Sequence, residues 1–285
     1  MAQLTIDIDK CAKDGICADE CPLKIISLNG PNGFPQIKPG AESACFACGH
    51  CVAVCPRGAL DCSEVPLYRC PPILKERTVK KDQAVQFLRS RRSARVFKDR
   101  PVERARIHEL IDIARYAPSA SNSQLVEWVV FSDRNQIAGI VEHTIEWMRG
   151  LIKQGPLALY SPYIIPAVEA WNAGQDRILR NSPALVFAMA PMEAVYGMVD
   201  LTIALSYLDL MAPTAGLTTC WAGVLHRAME KSPSLRRYVG IPETHPHYYP
   251  MMIGYPKHPY HRLPERKPPK IIWRQPGAET PPSGK

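Results

Sequence analysis

The chain has 285 residues, with 35 Lys and Arg against 27 Asp and Glu, a formal net charge of +8. No apolar run approaches the roughly 18 residues of a membrane-crossing helix, and the start, MAQLTIDIDK, lacks the basic-then-apolar order of a secretory signal, which places the expected compartment in the cytoplasm. Nine of ten cysteines lie in the first 70 residues, a distribution that argues against an extracellular disulfide scaffold and for metal or redox chemistry in a reducing compartment.

In chain order, Thr5 to Asp9 alternates as a short edge strand. Cys11-x5-Cys17-x3-Cys21-Pro22 follows, then a hairpin signal in which Ile25–Leu28 and Phe34–Ile37 flank Asn29-Gly30-Pro31-Asn32-Gly33. Cys45-x2-Cys48-x2-Cys51-x3-Cys55-Pro56 comes next, the spacing of bacterial ferredoxins. Three close thiolates can wrap three corners of one cubane, with Gly49 allowing the turn, while the fourth cysteine leaves on the far side toward the other cluster. The competing reading is a zinc site, since Cys-x2-Cys pairs also suit zinc.

The upstream run repeats this pattern except that Asp14 stands where a cysteine is expected. The crossed rule gives Cys45, Cys48, Cys51 and Cys21 to one cluster and Cys11, Cys17 and Cys55 to the other, with Asp14 at its fourth corner. A carboxylate is harder than thiolate and makes a more labile corner. The expectation is one [4Fe–4S] cluster and a second that is [4Fe–4S] or [3Fe–4S], with Asp14 as a solvated turn residue in the alternative case. Cys62 and Cys70 fit neither run and read as small buried or incidental thiols. Over about residues 3–65 the segment resembles two-cluster bacterial ferredoxins.

Pro66, Pro71, Pro72 and Lys75-Glu76-Arg77 mark a connector, centred on residues 71–81. Charge divides here: residues 1–70 carry net −2 and the remainder net +10. Two domains are therefore expected, 1–70 and 82–285. In the second, helices are expected from Asp82, as N-cap, to Arg91, with Ala84, Val85 and Leu88 on one face, and over 103–116, 135–152, 193–211 and 233–239, the last capped by Ser232. Strands are expected over 125–131, 184–190, 218–225 and 248–254. The helix at 193–211 is apolar enough to be central or to line an interface. Eleven of 28 prolines lie in residues 241–285, a tail suited to wrapping a partner subunit.

Two stretches suggest ligand chemistry. Arg91, Arg92, Ser93 and Arg95 gather guanidinium forks and a hydroxyl suited to phosphate, or simply form a solvated basic helix end. Tyr116 to Gln124 is a short polar loop whose small side chains let a flat ligand approach, or a plain loop. Together with Cys220-Trp221-Ala222-Gly223 and Pro264-Glu265-Arg266-Lys267-Pro268 they resemble the flavin-dependent nitroreductase family over about residues 82–270.

That resemblance implies an α+β fold, a ferredoxin-like iron–sulfur module followed by a central, mostly antiparallel sheet with surrounding helices, in a homodimer that binds FMN at its interface. It implies that Arg91, Arg92, Ser93, Arg95 and Arg266 hold the FMN phosphate and ribityl chain. Pro118, Ser119, Ala120 and Asn122 of the other subunit would line the isoalloxazine, and the backbone at Ala222 and Gly223 would donate to the flavin N5 edge. Gln124-Leu125-Val126 departs from the family's usual proline and aromatic. The segment 150–180, with Tyr160, Tyr163 and Trp171, reads as a lid or as a packing excursion.

No acid–base pair or nucleophile is evident, so the expected chemistry is that of the cofactors. The sequence then supports an oxidoreductase that passes electrons between clusters and FMN to reduce a flat, electron-poor acceptor, a nitroaromatic or a quinone, with NAD(P)H or an external ferredoxin as a possible donor. The alternative flow oxidises NAD(P)H and delivers electrons outward through the clusters. A metal-sensing nucleic-acid binder is the distant third reading; the basic residues form no continuous stripe with interleaved aromatics, so neither nucleic acid nor membrane is an expected partner.

Overall fold

The structure, a computed structural model, describes residues 3–30, 33–155 and 162–274. Its N-terminal part is built twice from one plan. Helix α1 (Ile16–Glu20) corresponds to α2 (His50–Val54), and strand β2 (Ile26–Leu28) to β4 (Leu60–Cys62), each 34 residues further along. The backbone repeats at the same offset: φ is +58° at Lys13 and +49° at Ala47, +77° at Gly15 and +71° at Gly49, +52° at Lys24 and +56° at Gly58. Glycine is required at 49, because a Cβ there would also meet Val65 Cγ1 at 2.9 Å. The strands pair as β1 (Leu4–Ile6) with β4, and β2 with β3 (Pro35–Ile37), both antiparallel. The first strand is thus shorter and earlier than Thr5 to Asp9, because Asp7 accepts the Asp9 and Lys10 amides and turns the chain.

The larger part is one four-stranded antiparallel sheet in the order β5-β6-β8-β7, with β5 at Glu127–Phe131, β6 at Ala184–Ala190, β7 at Thr218–Trp221 and β8 at His247–Gly254. Strand β6 is buried throughout, and its side chains alternate between two cores. Leu185, Phe187 and Met189 enter the core of α5 (Arg134–Lys153), α6 (Ile164–Asn172), α8 (Gly223–Lys231) and α9 (Pro233–Val239). Ala184, Val186, Ala188 and Ala190 face α4 (Arg104–Ala114) and α7 (Gly197–Met211). The small side chains let α7 lie close: a Cβ on Gly197 would meet Ala190 Cβ at 3.1 Å and His247 Cδ2 at 2.6 Å.

Several elements differ from the sequence expectation for physical reasons. The run expected as a strand over 218–225 bends at Ala222, and its second half begins α8, whose buried Leu225, Ala228 and Met229 follow helical spacing. Helix α6 was not expected; Pro166 falls in its first turn, where a missing N–H is tolerated. It packs into the core, and Trp171 donates its indole N–H to Glu142 of α5, so this half of 150–180 is packing rather than lid. Tyr160 lies outside the described residues. The first long helix, α3, spans Lys81–Ser90 with N-cap Lys80, not Asp82; the Lys80 amide donates to Gln83 Oε1 at 3.1 Å. None of its residues is buried, and Val85, Phe87 and Leu88 are exposed.

Phe187 is fully buried and meets Phe131 edge-on at 5.9 Å between ring centroids. Phe187→Ala is expected to cost about 3–5 kcal/mol, read as a lower urea midpoint at unchanged slope. The Tyr255 hydroxyl and Arg100 both donate to Glu103, the N-cap of α4, and hold its carboxyl down from the ordinary 4.5 to about 2. The folded state therefore gains from Glu103 above the unfolded value and loses that gain as pH falls from about 4.5 toward 2. Glu103→Gln is expected to flatten the acid limb of the stability–pH curve in that window.

Candidate functional site

Two cavities in the N-terminal part are lined by different cysteines. One is bounded by Cys21, Cys45, Cys48 and Cys51, with Phe46, Ala47 and Cys62 among its walls. The other is bounded by Cys11, Asp14, Cys17 and Cys55. The antiparallel pairing of the two halves thus brings Cys21 to the second run and Cys55 to the first. Among the described residues no three His, Cys, Asp or Glu side chains converge tightly enough for a single metal ion. Four thiols spread around a cavity fit a cluster, a larger body, better than one zinc. Burial pushes the Cys51 thiol up to about 12, so a metal must displace its proton.

Asp14 occupies the position of Cys48 in the first half. Its Oδ1 accepts the Ile16 amide at 3.2 Å, a turn-forming bond, while the residue also borders the cavity. Cys62, read from sequence as incidental, is a buried fifth thiol at the other cavity. Cys70 lies apart, with its thiol donating to the Pro66 carbonyl at 3.5 Å.

The arginine segment runs beside β7. Ser93 bridges Thr219 in parallel register and the Ala94 amide donates to the Thr219 carbonyl at 3.0 Å. Arg91 Nη1 lies 3.4 Å from Oδ2 of the buried Asp209, which also accepts from the Thr219 hydroxyl and, at 3.1 Å, from Trp221 Nε1. Burial raises the Cys220 thiol, while the positive charges of Arg95, Arg180 and Arg91 act in the opposite direction. Arg92 stands over the Tyr260 ring at 5.9 Å. Arg92, Arg95 and Arg180 have no carboxylate within ion-pair distance among the described residues, an excess of positive charge that fits a phosphate dianion. Arg180 was not read from the sequence; only its φ of +59°, beside Asn181 at +53°, marks it as special.

The loop 118–124 is attached to the other end of α7. The Ala120 amide donates to Oδ1 of buried Asp200 at 3.1 Å, and Ser119 Oγ accepts the Gln124 amide at 3.0 Å. Asp200 and Asp209 are separated by about 13 Å of helix, so within one chain the loop and the arginine segment hang from opposite ends of α7. Pro118 and Ser119 border a cleft with Asp200 and Trp128. Asn122 Nδ2 donates to the carbonyls of Phe46 and Ala47, 3.1 Å each, and Ser123 Oγ is buried without a partner among the described residues.

The remaining expected residues fall elsewhere. The Ala222 amide donates to the Pro250 carbonyl at 3.0 Å and is not available to a ligand, whereas Gly223 opens α8. Arg266 is exposed in a segment without regular structure.

Residues 88–255 match the model of the nitroreductase family, and residues 10–60 match the 4Fe-4S dicluster domain. A protein of Archaeoglobus fulgidus provisionally named NADH dehydrogenase/NAD(P)H nitroreductase is 27% identical over 181 residues, 62% of this chain and 87% of its own. One of the same name from Methanothermobacter thermautotrophicus is 24% identical over 180 residues, 62% of this chain and 80% of its own. In fold, the chain is similar to a nitroreductase with bound FMN from Bacteroides fragilis, with a TM-score of 0.56 at 16% identity, covering 69% of this chain and 100% of that one. A family model spanning more than half of the chain, behind an N-terminal 4Fe-4S dicluster domain, makes this protein a member of the nitroreductase family and an oxidoreductase.

Proposed function

We propose that the protein passes electrons between its iron–sulfur clusters and FMN to reduce a flat, electron-poor acceptor such as a nitroaromatic or a quinone. The observation that carries this reading is the presence, in one chain, of two cysteine-lined cavities and an arginine group without enough carboxylate to neutralise it. On this reading residues 1–70 form the electron-transfer head, 71–81 the connector and 82–285 the flavin domain, in the cytoplasm.

Arg91, Arg92, Ser93 and Arg95, joined by Arg180, would hold the FMN phosphate, and Gly223 would present an amide toward the ring. The exposed apolar face of α3, with exposed Met198, Val199 and Tyr207 on α7, supports a homodimer. A second subunit would bring its 118–122 loop and Arg266 to the arginine group; within one chain the loop hangs from the other end of α7. FMN, when bound, supplies conversion between one- and two-electron transfer. The four thiols of the Cys45 cavity would hold a [4Fe–4S] cluster, and Cys11, Asp14, Cys17 and Cys55 a [4Fe–4S] or [3Fe–4S] cluster.

The provisional names of the archaeal relatives favour a second reading, in which NAD(P)H reduces FMN and electrons leave through the clusters. Anaerobic mixing with reduced ferredoxin, and separately with NADH or NADPH, distinguishes them. The first reading expects ferredoxin to bleach the flavin through the clusters. A cluster-free protein that NADH reduces and that turns over at an unchanged rate overturns it.

Asp14→Cys completes four thiols in the Cys11 cavity. Iron analysis and low-temperature EPR are expected to show two complete cubanes that lose iron in air more slowly than wild type. Two complete cubanes in Asp14→Ala would remove Asp14 as a required ligand.

A further inference from the structure

The loop assigned to the flavin and the loop between Cys45 and Cys48 touch through one side chain. Asn122 Nδ2 donates to the Phe46 and Ala47 carbonyls, and these are the only hydrogen bonds among the described residues that join residues 3–70 to residues 82–274. An amide NH2 has two donors, so both are engaged and only Oδ1 is left for other partners. Both carbonyls lie between two cysteines of one cavity, and Phe46 and Ala47 themselves line it.

Both loops hold non-glycine residues in left-handed backbone: φ is +49° at Ala47, +51° at Ser121, +54° at Asn122 and +51° at Gln124. Such residues cost of order 1–3 kcal/mol each and persist where the surroundings over-determine them. The same turn in the first half, with Lys13 at φ +58°, makes no hydrogen bond to the large domain among the described residues, and Asp14 there is exposed. Two equivalent loops therefore have unequal roles: one is docked and the other faces outward.

We propose that Asn122 is a positioning residue that docks the Cys45–Cys48 loop on the flavin-side loop. The cavity of Cys21, Cys45, Cys48 and Cys51 then holds the inner cluster, and that of Cys11, Asp14, Cys17 and Cys55 the outer one, which meets an external low-potential one-electron carrier. This rests on the reading that clusters and FMN exchange electrons. The carrier is oxidised by one electron per encounter and the outer cluster is reduced by one. The inner cluster receives that electron and yields it to the flavin. Two such passages, with one proton from water, complete the flavin's two-electron reduction.

The test uses the full chain loaded with clusters and FMN, as wild type, Asn122→Ala and Asn122→Asp. The aspartate keeps the volume but turns oxygens toward two carbonyl oxygens. After anaerobic mixing with reduced ferredoxin, cluster reduction is expected at the wild-type rate, with flavin bleaching slowed about tenfold or more, further in Asn122→Asp. EPR-monitored titration is expected to move the potential of one cluster and leave the other unchanged, where a merely structural lesion moves both. Hydrogen exchange gives an independent readout: protection across residues 45–49 falls in Asn122→Asp while that across 11–17 holds. Undiminished bleaching in both variants, or unchanged protection at 45–49, overturns the docking role alone. Failure of the wild type to bleach at all overturns the electron-exchange reading and this inference with it.

Discussion

Two buried carboxylates on one helix fix the geometry of the large domain. A buried charge without partners costs several kcal/mol, so Asp200 and Asp209 each require the groups that meet them. Asp200 takes the Ala120 amide; Asp209 takes Thr219, Trp221 and Arg91. The loop and the arginine segment are thereby set at the two ends of α7. The helix is placed in turn by the alanines of β6 and the missing Cβ of Gly197. The spacing of the loop and the arginine segment thus follows from small side chains in the core.

What was legible in the sequence is what chemistry constrains locally. The cysteine runs could be read because cluster ligation demands one residue type at fixed spacing, and the exchange of Cys21 and Cys55 between halves followed from the same rule. Ser232 capped α9 as expected, its Oγ accepting the Leu235 amide. What was not legible depends on contacts far apart in the chain. Arg180, just before β6, acts on Cys220 of β7 only once β6 and β7 have paired through β8. The Ala222 amide is consumed by Pro250 because of the register of β8, which no local pattern reveals. Cys62 becomes a cavity wall only when β4 folds beside the second run.

Helix α3 shows the opposite case, a pattern read correctly for a reason the single chain does not display. Its apolar face was visible, yet among the described residues Val85, Phe87 and Leu88 stay exposed. An amphipathic helix draws most of its stability from packing. The homodimer proposed above would give this face a surface to pack against.

The bond pair from Asn122 is worth only about 0.5–1.5 kcal/mol per hydrogen bond. Two free proteins would not associate measurably through it. A connector at 71–81, as proposed, would change the arithmetic, since a short tether presents one module to the other at an effective concentration in the millimolar range. Pro71 and Pro72 stiffen that tether and narrow the volume searched. The docking proposed for Asn122 would then be an intramolecular equilibrium and not an association of two free proteins. Lengthening the connector would lower the occupancy of the docked state without altering a single contact.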